Sequence, residues 1–216
     1  MVNVKHLWEN DKPLFFKFIK YSQSIIDVHA STLADHLPHT INLQNLQNPL
    51  LVQHIQTYLR HKLNLNSFPI KQLESPLKEW LFLPTSTLLN LQHFIGALRF
   101  SRNIKTSVQK WQHKQLIELL GESIYTCILK RASLFFPHLP MHLFSECSGN
   151  NMIDNILSTG QLAIEYCLFD CHPDLLKRFT LKFPSNMTWD FNLQVSTQDQ
   201  IQLISLCNSL ITKKLV

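Results

Sequence analysis

Apolar residues recur every three or four positions along most of this chain, and that spacing predicts helices. Leu88, Leu91, Ile95 and Leu98 lie on one face of a helix that Thr85 or Ser86 can cap and that runs to about Arg102. From Trp111 the positions Leu116, Leu119, Leu120, Ile124, Cys127 and Ile128 continue the period to Phe135, and Pro137 and Pro140 end it. Gly121 interrupts this run at a cost of about 1 kcal/mol relative to alanine. It marks either a close helix crossing or a break. Asn150 or Asn151 can cap a further helix that reaches Phe169, with Ile156, Gly160, Ala163, Ile164 and Cys167 as its stripe. Ser196 and Asp199 have the spacing of a capping box. They open a last helix with Ile201, Ile204, Leu210 and Ile211 on its buried face.

The segment from Gly160 to Pro184 changes period more often than any other. The helical stripe stops at His172 and Pro173, because proline disfavours helical geometry in the residue before it. A short helix can restart at Pro173, where the missing N–H is harmless. Asp174 suits its first turn, and Lys177 and Arg178 its last. Phe179, Leu181 and Phe183 then alternate with Thr180 and Lys182, which predicts a strand with one buried face, closed by Pro184.

The first 70 residues are harder to read. Leu14, Phe15, Phe16, Phe18 and Ile19 after Pro13 suit a short helix or an extended segment. Ser24 to Leu37 suits a helix that ends at Pro38. Asn48 and Pro49 start another, with Leu51, Val52, Ile55, Tyr58 and Leu59 as its stripe, and Asn64 to Pro69 form a loop. Ser75 and Pro76 open a short helix through Trp80. The sum is about seven to nine helices and one or two short strands. No low-complexity linker or internal repeat divides the chain. The expected architecture is mainly α, a compact multi-helix domain with one or two short β-strands, built as a single helical domain over residues 1–216.

Composition supports helices over nucleotide-binding or all-β folds. Four glycines in 216 residues are few for phosphate-cradling loops and tight hairpins. A net charge of +5 and a pI near 9.0 permit an anionic partner. The basic residues are scattered, however, where a nucleic-acid protein more often shows a stripe or a run. No apolar run is long enough to cross a membrane, and Lys12, Lys17 and Lys20 break up the apolar patch near the start, so no signal peptide is read there. The five cysteines are unpatterned and fit free thiols in a reducing cytoplasm.

Candidate chemistry is sparse. Cys167, Cys171 and His172 are close in sequence, but Cys-x3-Cys without a second knuckle is not zinc spacing, and Cys167 belongs to an apolar stripe. Cys147 lies in a polar loop near His138 and His142, without a nucleophile signature. The eleven histidines follow no ligand spacing and read as surface residues. Carboxylates such as Glu118, Glu122, Glu146, Asp154 and Glu165 are not paired for acid–base work. The reading is therefore a non-enzyme with no cofactor and no metal. Arg99, Arg102 and Lys105, followed by Lys110 and Lys114, form either a solvated helix face or an electropositive patch, with Phe100 and Trp111 interleaved.

Three segments together resemble the SctK family, the type III secretion accessory proteins known as YscK, PscK, OrgA or MxiK. They are the leucine-rich stretch Leu88 to Leu98 followed by Arg99 and Arg102, the stretch Gln115 to Gly121, and the segment Gly160 to Pro184 with Leu175, Leu176, Lys177, Arg178 and Phe179. The resemblance extends from Leu88 to Pro184. It implies an adaptor at the cytoplasmic face of the inner membrane, beneath the injectisome. Its partners would be the forkhead-associated-like cytoplasmic domain of the inner-membrane ring protein and the pod protein of the sorting platform. Many weak contacts would add through avidity. The family hands over no functional residues. Arg99, Arg102 and Lys105 are the contact candidates on physical grounds, with Lys177 and Arg178 as a second group. The alternative is a basic helical nucleic-acid-binding or regulatory protein.

Overall fold

In a computed structural model of the chain, residues 12–13, 15–16, 28–37, 49–65, 80–106, 110–144 and 151–216 are described. Among them lie eight α-helices: α1 (Ala30–His36), α2 (Pro49–Lys62), α3 (Thr85–Arg99), α4 (Ser101–Thr106), α5 (Lys110–Phe135), α6 (Met152–Leu168), α7 (Pro173–Thr180) and α8 (Thr197–Thr212). Short 3₁₀ turns occupy Trp80–Phe82, Phe136–His138 and Met141–Phe144. The chain forms two compact units, residues 1–85 with 171–189, and residues 86–170 with 190–216.

The first unit is organised around the segment that follows Pro173. Leu37 just beyond α1, Ile55 and Leu59 of α2 and Leu65 just beyond α2 form a buried cluster that Leu181 completes. Pro173 stands in the first turn of α7, and the His172 ring caps that turn by accepting from the Asp174 N–H at 3.2 Å. The expected strand at Phe179–Phe183 is not there. α7 runs through Thr180, and Leu181–Phe183 form a tight turn in which Lys182 N and Phe183 N donate to Phe179 O and Thr180 O at 3.0 Å each. Among the described residues no strand occurs at all. The alternation was misleading because Lys182, expected on the wet face, is buried. Its ammonium donates to Leu83 O at 2.7 Å. Phe179 and Phe183 are one helical turn apart, with ring centroids at 5.3 Å, and Trp189 stands edge-on to Phe183 at 4.8 Å. α1 meets the same turn. His29 N donates to Leu181 O at 2.9 Å, and Thr32 Oγ1 to Phe183 O at 2.9 Å.

The second unit is built on the longer helices. Leu88, Leu91, Ile95 and Leu98 of α3 are all buried, as are Ile156, Ala163, Ile164 and Cys167 of α6 and Leu203, Ile204, Cys207 and Leu210 of α8. α3 begins at Thr85 itself, and the expected caps at Asn151 and Ser196 form. The Asn151 side chain accepts from Asp154 N at 2.9 Å, and Ser196 Oγ accepts from Asp199 N at 3.1 Å. α3 ends at Arg99 rather than near Arg102, and α4 begins at Ser101. Gly121 is a break, with φ 75° and ψ 153° inside α5 and open space where a Cβ would stand. In a straight helix His113 and Tyr125 would be about 18 Å apart. Here their rings pack edge to face at 6.0 Å and His113 Nδ1 is hydrogen-bonded to the Tyr125 hydroxyl across the kink that the glycine makes.

Candidate partner-binding surface

The candidate basic surface begins where α3 gives way to α4. Arg99 closes α3, half-buried, with its guanidinium 5.4 Å from the Phe100 ring centre. Ile104 is fully buried and anchors α4, which leaves Arg102, Asn103, Lys105 and Thr106 outside. Arg102 and Lys105 are three apart and so share a face. The Arg102 guanidinium stands 5.6 Å over the Phe136 ring, a cation–π contact that orients an exposed cation. Lys114, expected to extend this patch, lies 3.9 Å from Glu118 with both side chains largely exposed, a surface pair that holds little free energy.

Lys177 and Arg178 do not form a common site. Lys177 is exposed on α7, whereas Arg178 is only 3% exposed and donates from Nη2 to Leu65 O at 3.1 Å. The helix period, 100° per residue, sends these neighbours in different directions. Arg178 is thus a cation that packs and bonds inside the first unit, and a partner reaching α7 meets Lys177 alone.

Several other titratable groups are held by the fold. Cys167 and Cys207 are buried against each other between α6 and α8, and burial pushes the Cys167 thiol well above its usual value, with the Cys207 contact acting the same way. Burial lowers the pKa of the His93 imidazole, against an opposing hydrogen bond that the ring donates to the Leu119 backbone. His142 Nε2 lies 3.1 Å from Asp199 Oδ2. The hydroxyl of Ser196, then His142, hold Asp199 below the ordinary carboxylate value. Among the described residues no group of three or more His, Cys, Asp or Glu side chains is placed to hold a metal ion. Cys147 and Glu146 lie outside the described residues.

Sequence reasoning missed the apolar part of the surface. Ile201, expected on the buried face of α8, is 60% exposed, and Leu134 is 65% exposed. Trp111 at the start of α5 is also largely exposed. The signal for Ile201 was present. Relative to Leu203 it lies about 160° round the helix, opposite the stripe through Leu203, Leu206, Cys207 and Leu210. Comparison with protein families, with characterised proteins and with solved structures finds no match to this chain. Among the described residues no helix is long and apolar enough to cross a membrane.

Proposed function

We propose that this chain is an adaptor of a bacterial type III secretion system, which links the cytoplasmic domain of the inner-membrane ring to the pods of the sorting platform. The observation that carries this reading is the order and spacing of the segments Leu88–Leu98, Gln115–Gly121 and Gly160–Pro184 in a mainly helical chain. The turn at Leu181–Phe183 replaces a strand on which the third segment's likeness partly rested. The first two segments keep their helical character, and the Leu175, Leu176, Lys177, Arg178, Phe179 run is itself helical. In this reading Arg102 and Lys105 face an acidic partner, with Arg99 behind them. Lys177 is at most a lone contact, and Arg178 has no part in binding.

The test is reconstitution of the folded chain with the ring protein's cytoplasmic domain and with the pod protein, followed by size-exclusion chromatography. The adaptor reading expects one complex that contains all three, weakened by Arg102→Glu with Lys105→Glu. Failure to bind either partner overturns it. Salt-sensitive retention of labelled DNA, lost in the same double variant, would instead favour the nucleic-acid reading.

A further inference from the structure

The end of α5 and the outer face of α8 enclose an open groove of about 480 Å³ in the second unit. Leu134 and Phe135 form one wall, Ile201 and Leu206 the other, and Ser205 and Ser209 supply small residues between Ile201 and Lys213. Two large apolar side chains, Leu134 and Ile201, are exposed along it, 65% and 60% respectively. Its walls are fixed: Gln202 Nε2 donates to Pro137 O at 3.4 Å, and Phe135 packs edge-on against Phe94 at 5.8 Å.

The rim of this groove is basic. Lys213 stands 5.5 Å over the Phe135 ring, Lys214 follows it, and His138 lines the same groove. Lys130 and Arg131 are exposed one turn before Leu134, on its side of α5. The carboxylate at the start of α8, Asp199, is held by the Ser196 hydroxyl at 2.6 Å and by His142 at 3.1 Å.

We infer that this groove docks an amphipathic helix of another protein, with leucine or isoleucine at i and i+4 and acidic residues flanking them. Apolar side chains fill the space between Leu134 and Ile201, and carboxylates meet Lys130, Arg131 and Lys213 at the rim. A second copy of this chain fits the charge badly, because a two-fold contact would set one basic rim against the other. The inference stands on the groove alone and is separate from the α4 surface of the adaptor reading.

The experiment is selection from a displayed library of helical peptides against the whole chain, with affinities of the selected peptides then measured by fluorescence anisotropy. The expected winners carry Asp and Glu around an apolar i, i+4 pair. Ile201→Asp and, separately, the pair Arg131→Glu with Lys213→Glu should each weaken them by about tenfold or more. All these side chains are exposed, so circular dichroism should be unchanged. Selection of nothing, of neutral or basic peptides, or of peptides that bind Ile201→Asp as well as the parent overturns the inference. So does a dimer in sedimentation velocity that Ile201→Asp dissociates, which would make a second copy the occupant.

Discussion

Gly96 of α3 and Gly160 of α6 each face the other helix's backbone. A Cβ on Gly96 would lie 1.9 Å from Ile156 O, and one on Gly160 would lie 2.1 Å from Gln92 O. Gln92 and Gly96 on one helix thus face Gly160 and Ile156 on the other, so the helices cross in opposite directions at backbone contact. Gln92 Nε2 bridges the same crossing by donating to Leu157 O at 3.3 Å.

Neither glycine can take a methyl group without moving a helix. Gly96→Ala and Gly160→Ala are each expected to destabilise the chain by at least about 1–3 kcal/mol. Once the helices are forced apart the second methyl meets less, so the double variant should cost less than the two single costs added together. Urea unfolding of the four proteins measures this. Additive costs would mean that the two contacts yield independently.

Gly121 is different, since a methyl there meets nothing. Its φ of 75° with ψ of 153° is a backbone region that side-chain-bearing residues avoid. Gly121→Ala should therefore cost about 1–3 kcal/mol through strain alone. A gain in helix content and loss of the Tyr125 hydrogen bond would show that α5 straightens instead of bearing the strain. Far-ultraviolet circular dichroism and unfolding together separate the two outcomes.

These glycines mark what was legible in the sequence and what was not. The stripe of α3, the caps at Asn151 and Ser196 and the restart at Pro173 follow from local spacing, and each forms. Gly121 stood out because it interrupts a period. Gly96 and Gly160 sit within regular helices, and only the crossing partner gives them meaning. The strand expected at Phe179–Phe183 failed for a similar reason. Alternation assumes that Lys182 faces water, and the Leu83 carbonyl that draws it inward is about 100 residues away. On the candidate surface, exposure separated Arg102 and Lys105 from Arg178, and the helix period already pointed the same way: Arg178 lies three residues after Leu175 on the buried stripe with Phe179, and Lys177 lies opposite.

Lys177 and Arg178 therefore make a direct comparison. Arg178→Met keeps much of the apolar stem but leaves Leu65 O without its donor, and should cost about 1–3 kcal/mol. Lys177→Met changes an exposed side chain and should stay within about 0.5 kcal/mol of the parent. Thermal unfolding at a fixed pH reads both. Equal effects would mean that Arg178 is not held inside the first unit.

The thiols offer a check that leaves the fold intact. Cys127 and Cys171 are half-exposed, whereas Cys167 and Cys207 are buried. Iodoacetamide applied to the native protein at mildly alkaline pH should label Cys171 before Cys167 or Cys207. The buried pair should react only in denaturant, since the thiolate is the reactive form and burial suppresses it at Cys167. Peptide mass spectrometry reads the order. Early labelling of Cys207 would mean that α8 opens readily from α6.

Glu165 should make stability depend on pH in a direction opposite to that of most carboxylates. It is buried on α6, where its Oε1 accepts from Gln161 Nε2 at 2.9 Å and from Asp190 N at 3.1 Å. Burial raises its pKa above the ordinary 4.5, and the nearby Asp190 charge adds to this, while the two hydrogen bonds oppose it. The folded chain therefore holds this proton at pH values where the unfolded chain has released it. Stability from this group is full below the unfolded value of about 4.5 and falls as pH rises through the higher folded value. Glu165→Gln keeps an acceptor for Gln161 and Asp190 but carries no charge to desolvate. Relative to the parent, the variant should therefore gain stability on going from acid to neutral pH. Urea midpoints of the two proteins at matched pH values cancel the other titrating groups, because those are common to both. A parent that instead gains on the variant as pH rises would mean that the hydrogen bonds outweigh burial at this carboxyl.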